Sequence, residues 1–205
     1  MTKASHAPRK RDGSLRTALV DAGVDLLRMR GPDGLSLREC AAMAGVSHAA
    51  PGYHFKNLMG LSTAIAARGF MLFCEAMLKR LDKAGPQPLD RLTAICHGYL
   101  DYASEQPDLF LFIFSGQTFN EDDNDICMWS NRAYDILSEV CAPLVPEGSS
   151  GREIEILVWS LVHGYAHLSM TRKKKNPQLE DEWPDLDPLL IHLKKALQPG
   201  NRKVS

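Results

Sequence analysis

The chain has 205 residues, 44% of them hydrophobic and 24% charged, with a formal net charge of −1; this is the composition of an ordinary globular protein of one or two modest domains. No run approaches the roughly 18 consecutive apolar residues of a membrane span, and the polar, basic stretch Met1 to Ser14 lacks the apolar core of a secretory signal, so the sequence reads as a cytoplasmic protein with no membrane partner. Charge is unevenly spread: residues 1–60 hold nine Lys/Arg against five Asp/Glu, and the remainder is acidic. That suits a protein that meets nucleic acid with one end only and excludes one that coats it throughout.

In chain order, Leu15, Leu19, Ala22 and Leu26 recur at helical spacing and predict a first helix ended by Gly31-Pro32. Ser36-Leu37-Arg38-Glu39 forms a capping box, in which the serine hydroxyl accepts from the Glu39 N–H and the glutamate reaches back. Gly45 stops that helix and supplies the positive φ of a tight turn. Val46 is a small apolar plug, and Ser47 is expected to cap the next short helix. Residues 36–55 thus read as two short helices around Gly45-Val46-Ser47, the punctuation of a helix-turn-helix.

A long helix follows, with Leu58, Leu61, Ile65, Leu72 and Ala76 on one face to about Leu81, before Gly85-Pro86. Further helices are expected over 88–105, 107–115, 125–142, 151–172 and 187–198. Pro88, Pro107 and Pro188 stand at first-turn positions, the last behind the cap-competent Asp187. Residues 116–125, 143–151 and 176–184 read as loops. The run Arg172 to Lys175 complements the negative end of a helix dipole. No alternating Val/Ile/Thr-rich run suggests a strand.

Two features of the second half bear on association and binding. The helix near 151–172 carries Ile154, Leu157, Leu161, Tyr165 and Leu168 on one face with Val158, Trp159 and Val162 beside it, more than one core-facing stripe needs. The last helix carries Leu186, Leu189, Leu190, Leu193 and Leu197. Two such helices can bury one face internally and another on a symmetry mate; the candidate interface is Leu157, Leu161, Tyr165, Leu189 and Leu193. Large adaptable side chains also gather in the middle: Phe70, Phe73, Met77, Phe110, Phe114, Met128 and Trp129. They are either plain core or an apolar pocket with a few polar groups such as Tyr99, His97 or His163.

Enzymatic chemistry finds little support. His163 and His167 stand four apart, a metal-ligand spacing, but Gly164 occupies the place of a general-base glutamate and no third ligand is evident. There is no G-x-S-x-G elbow and no phosphate-binding glycine loop. No metal or cofactor is expected. Cys40, Cys74, Cys96, Cys127 and Cys141 are odd in number, widely spaced and without a C-x-x-C, as reduced buried thiols would be.

Residues Arg16 to Leu61 resemble the N-terminal domain of the tetracycline-repressor (TetR) family. The likeness rests on Ala22-Gly23, Leu26-Leu27, Gly31 and the run Gly45-Val46-Ser47-His48-Ala49-Ala50-Pro51-Gly52-Tyr53-His54-Phe55. A weaker likeness covers Gln106 to Phe114 and Trp159-Ser160-Leu161-Val162-His163-Gly164, which resemble a C-terminal domain known by its Trp/His-Gly signature. Two departures stand out. Gly52 occupies the place where most relatives have tyrosine, and Asn57-Leu58-Met59 lacks the phosphate-holding lysine of the family, for which Lys56 is the available substitute.

The resemblance implies an all-α fold: a basic arm (1–13), a three-helix helix-turn-helix domain (14–57), a helical-bundle effector-binding and dimerisation domain (58–198) and a disordered tail (199–205). It implies a homodimer on a palindromic double-stranded DNA operator, usually a repressor, released by a small apolar effector. The residues it points to for DNA are Arg38, Ser47, His48, Gly52, Tyr53, His54 and Lys56, with Arg9, Lys10 and Arg11 as an arm. Those for the effector pocket are Phe73, Met77, Tyr99, Phe110, Phe114, Met128, Trp129 and His163. His54 has a second reading as a helix-end core residue, whereas Phe55 faces the core. The alternative function is a helical ligand- or partner-binding protein with degenerate DNA recognition.

Overall fold

A computed structural model describes residues 12–114, 119–175 and 185–197. Residues 1–11 of the basic arm, residues 115–118, the loop over 176–184, the tail and the side chains of the run Arg172 to Lys175 lie outside the described residues, while residues 12 and 13 of the expected arm belong to the first helix. Every regular element among those described is helical: α1 (Asp12–Arg30), α2 (Leu37–Met43), α3 (Ala50–Phe55), α4 (Leu58–Leu81), α5 (Pro88–Glu105), α6 (Pro107–Phe114), α7 (Asn124–Cys141), α8 (Gly151–Lys175) and α9 (Leu186–Leu197).

Local chemistry sets most of these limits. Gly31 adopts φ 71° and turns the chain out of α1. Ser36 Oγ accepts from the Glu39 N–H at 3.2 Å and starts α2, but the Glu39 carboxylate does not complete the box. It pairs with the Arg30 guanidinium at 2.5 Å instead, tying α2 back to the end of α1. Gly45 takes φ 66° in the turn after α2, as a residue without Cβ can at no steric cost. The expected cap at Ser47 is not formed: α3 begins three residues later, with Ala49 at the N-cap and Pro51 in the first turn. A first-turn proline needs no capped N–H, so a helix can open there without a side-chain acceptor. Asn57 starts α4 by accepting from Gly60 N–H at 2.9 Å, and Asp123 caps α7. Asp187 lies inside the first turn of α9 rather than before it, and its carboxylate meets His97 Nε2 at 2.9 Å.

The core is continuous from α1 to α9, with α4 at its centre. By length and composition α4 is apolar enough to cross a membrane, but most of it is buried inside the bundle. Its first turns, including Leu61 and Ile65, close the core of α1–α3, and its later turns carry Phe73, Cys74 and Met77 into the body. At Gly98 the α5 backbone comes so near that a Cβ there would lie 2.6 Å from Met77 Cα; any side chain would push α5 off α4. Arg28 of α1 bonds to Gln106 just before α6, and Asn120 N–H donates to Thr63 Oγ1 of α4 at 3.0 Å. One helix thus links an outward-facing unit to the interior of the body.

Candidate DNA-binding face and effector cavity

The third helix has only six residues, and they divide cleanly. Pro51 and Phe55 are buried and hold the inner side against α1 and α4. Gly52 and Tyr53 face outward, and Tyr53 is 81% exposed. His54 is half-buried, its ring edge-on to Tyr53 at 5.4 Å and tilted against Phe55 at 6.2 Å. Ser47 and His48 are exposed in the turn ahead of α3, not on its first turn, and Arg38 is exposed on α2. Lys56 ends α3 at φ 63° with its side chain in solvent. A Cβ on Gly52 would meet nothing within 4 Å, so packing does not demand glycine there.

Arg16 was not among the residues singled out from the sequence. Its guanidinium stands 5.6 Å over the Phe55 ring and 3.9 Å from Asp125 Oδ2 at the start of α7. It shares a cleft of about 300 Å³ with His54 and Lys56. An exposed arginine on an amphipathic helix looks like any solvated charge; only the packing of α1 across α3 brings it to this corner.

The body holds a partly open cavity of about 310 Å³ lined by α4, α5, α6, α7 and α8. Of the residues expected to line a pocket, Phe73, Met77, Tyr99 and Phe114 do so. Four do not. Phe110 is fully buried behind the wall, packed on Phe114 at 5.0 Å and His163 at 5.7 Å. Met128 is 52% exposed on the outer side of α7. Trp129 is half-buried away from the cavity, its carbonyl accepting from the Cys74 thiol. His163 sits one layer back, its Nδ1 2.7 Å from the Tyr99 hydroxyl. Helical periodicity identified the apolar stripes but not their rotation, so lining residues such as Tyr134 and Trp159 were missed as pocket candidates. No charged side chain lines the cavity among the described residues. Burial holds the Tyr99 hydroxyl well above its ordinary range, opposed by hydrogen bonding from Trp159, and burial lowers His163, as does the neighbouring His167.

A third surface lies on α8 and α9. Leu157 and Leu168 are exposed and Leu161 and Tyr165 half-buried along α8. On this side of α8, Gly164 has open space where a Cβ would point. On α9 Leu189 is half-buried and Ile191 exposed. Leu193, expected at the interface, is 5% exposed and belongs to the protomer's own core, because α9 is rotated so that Leu186, Leu190, Leu193 and Leu197 face inward. His163 and His167 stack with ring centroids 6.2 Å apart, and no cluster of three metal-ligating side chains occurs among the described residues. Cys40, Cys74, Cys96 and Cys141 are buried and unpaired; desolvation pushes their thiols up to about 11 or 12, far from a reactive thiolate.

Residues 92–183 match a family model described as the tetracyclin repressor-like C-terminal domain. A comparison with curated proteins finds no match. Among solved structures, a protein of unknown function from Rhodococcus sp. RHA1 is 23% identical with a TM-score of 0.76, over 94% of this chain and 97% of that one. A TetR-family transcriptional regulator from Streptomyces coelicolor is 21% identical with a TM-score of 0.61, over 91% and 97%. The transcriptional regulator FadR from Bacillus subtilis, solved in complex with stearoyl-CoA, is 16% identical with a TM-score of 0.66, over 91% and 99%. At these identities the likeness to solved structures is one of fold. Residues 92–183 thus carry a tetracyclin repressor-like C-terminal domain, and the whole chain shares its fold with solved structures that include TetR-family transcriptional regulators.

Proposed function

We propose that the protein is a cytoplasmic, sequence-specific DNA-binding repressor that sits as a homodimer on a palindromic operator and leaves it when a small, largely apolar effector fills the body cavity. The observation that carries this reading is the outer side of α3: an 81% exposed Tyr53 beside Gly52, with the exposed Ser47, His48 and Lys56 at its margins. A tyrosine hydroxyl can donate to a phosphate and its ring can touch a thymine methyl, while lysine and arginine neutralise phosphates. Arg16, at the same corner, joins Lys56 as a phosphate candidate. Dimerisation is supported by the stripe of exposed Leu157 and Leu168 with half-buried Leu161 and Gly164 between them, where a glycine lets a partner helix approach closely. An effector that prefers the non-binding conformation should weaken operator binding by a coupling of about 1–3 kcal/mol, and DNA should weaken the effector equally.

The test is operator titration at several salt concentrations. Tyr53→Ala should cost roughly 1–3 kcal/mol of operator affinity per half-site. Lys56→Ala should weaken operator and random DNA alike and flatten the salt dependence. Neither should alter the melting temperature or the sedimentation of the dimer. Wild-type operator affinity in both variants would show that α3 does not enter the groove.

A further inference from the structure

Among the described residues the polar groups around the cavity are few, and most of their hydrogens are engaged. The Tyr99 hydroxyl lies 2.7 Å from His163 Nδ1. Ser130 Oγ donates to the Cys127 carbonyl at 3.4 Å. The Tyr134 hydroxyl donates to the buried carboxylate of Glu155 and accepts from Arg152. The Trp159 indole N–H is turned to the Tyr99 oxygen, where it favours the charged form.

The direction of the Tyr99–His163 bond follows from the same inventory. Indole N–H can only donate, so it takes a lone pair of the Tyr99 oxygen. A phenol is the stronger donor and a neutral imidazole nitrogen the stronger acceptor, so the Tyr99 hydrogen goes to Nδ1. The Tyr99 oxygen then keeps a lone pair for a guest but no hydrogen, while the Ser130 hydrogen is held only by a long, weak 3.4 Å bond. Among the described residues, the Cys96 thiol, a weak donor, is the only other side-chain donor left on the lining besides the loosely held Ser130 hydroxyl. The rest of the wall is apolar or aromatic, including Phe70, Phe73 and Phe114, whose ring faces are electronegative.

We propose, on the reading that this cavity is the effector site, that the effector is a neutral, mostly apolar molecule presenting a hydroxyl or N–H donor, such as a phenol or alcohol, rather than a carboxylate, ester or thioester. An acceptor-only group entering here meets lone pairs, and a carboxylate is desolvated beside ring faces with no cation on the lining. A donor meets the Tyr99 oxygen and closes its last vacancy. The cavity of about 310 Å³ equals about ten water volumes at ~30 Å³ each, room for two fused rings.

The experiment is calorimetric titration of the full-length protein with 2-naphthol, 2-methoxynaphthalene and 2-naphthoate. The expected result is 2-naphthol binding about tenfold more tightly than the ether, the worth of one net hydrogen bond, with the carboxylate weakest. Tyr99→Phe should bring naphthol and ether to parity. His163→Leu should free the hydroxyl hydrogen as a donor and narrow the preference for naphthol over the ether. Ala133→Phe, or Val162→Phe should the first not fold, fills the cavity and should abolish binding of all three. Equal or tighter binding of the ether, lost in the filled variant, would overturn the donor requirement and leave the cavity as the effector site. Naphthol binding that survives filling, or no naphthol binding at all, would overturn both.

Discussion

In the N-terminal unit the residues of interest point away from the protein: Tyr53, Lys56, His48 and Arg38 are all exposed over a core of a few side chains such as Leu19, Leu27 and Phe55. In the body the arrangement is reversed. Phe73, Tyr99 and Phe114 pack on one another in the cavity wall, and the large apolar side chains left exposed on the body lie mostly on α8 and α9. The difference lies in what stabilises each part. Helices of six and seven residues are too short to hold themselves, so α2 and α3 depend on the Ser36 cap of α2, a glycine turn and packing on α1 and α4. The long helices of the body depend on packing, and can leave part of their core unfilled because the remainder is dense.

That contrast can be broken most forcefully from the body side. Phe110 is fully buried against Tyr99, Tyr102, Phe114 and His163. Phe110→Ala should cost about 3–5 kcal/mol of stability in denaturant unfolding. A loss under 1 kcal/mol would mean that the cavity wall collapses to fill the hole. In the N-terminal unit the equivalent change is a cap. Ser36→Ala removes the Glu39 N–H acceptor and should cost about 1 kcal/mol, with a larger fraction of operator affinity lost than of global stability. Equal losses would show that α2 unfolds only with the whole protein.

His163 sharpens the comparison through pH. Burial lowers its pKa in the fold, so the folded protein favours neutral imidazole. Between the ordinary histidine value of about 6.5 and the lower native one, the unfolded chain binds the additional proton. The contribution of His163 is therefore fully present above that ordinary value and is lost as pH falls through the native one. Melting temperature should decline over this window, and His163→Leu should reduce the slope. An unchanged slope would assign it to other groups. The smallest effect is expected at Tyr102, whose hydroxyl is buried without a hydrogen-bond partner. Tyr102→Phe removes that desolvated group and keeps the ring, so stability should rise by up to about 1 kcal/mol. Destabilisation would point to a bridging water.

Helix positions were readable because their signals are local. Ser36, Gly45, Pro88 and Pro107 each act on the backbone within a turn or two, and the helices they delimit appear within a residue or so of the expected places. The misses have local causes too. Ser47 had the right chemistry for a cap, but the chain takes another turn first; Asp187 had it as well, but its carboxylate turns to His97. Met128 was expected in the pocket and Trp159 beside the apolar face of α8. The rotation of α7 and α8 instead leaves Met128 off the cavity and 52% exposed, and puts the 41% exposed Trp159 on the cavity lining.

The sequence by itself determined that the chain is a succession of helices with a helix-turn-helix at its basic end, because capping, turn chemistry and 3.6-residue periodicity depend on neighbours a few positions apart. It also carried the family resemblance, since that rests on contiguous residues. Which apolar side chains line a void, which complete the core and which wait on the surface was decided only by the tertiary structure. Leu193 went to the core, Leu168 to the surface and Phe114 to the cavity. Hydrophobicity is non-directional, so a stripe of leucines specifies that it will be covered but not by what. The covering element comes from far along the chain, and its rotation is settled by close approaches such as Gly98 on Met77.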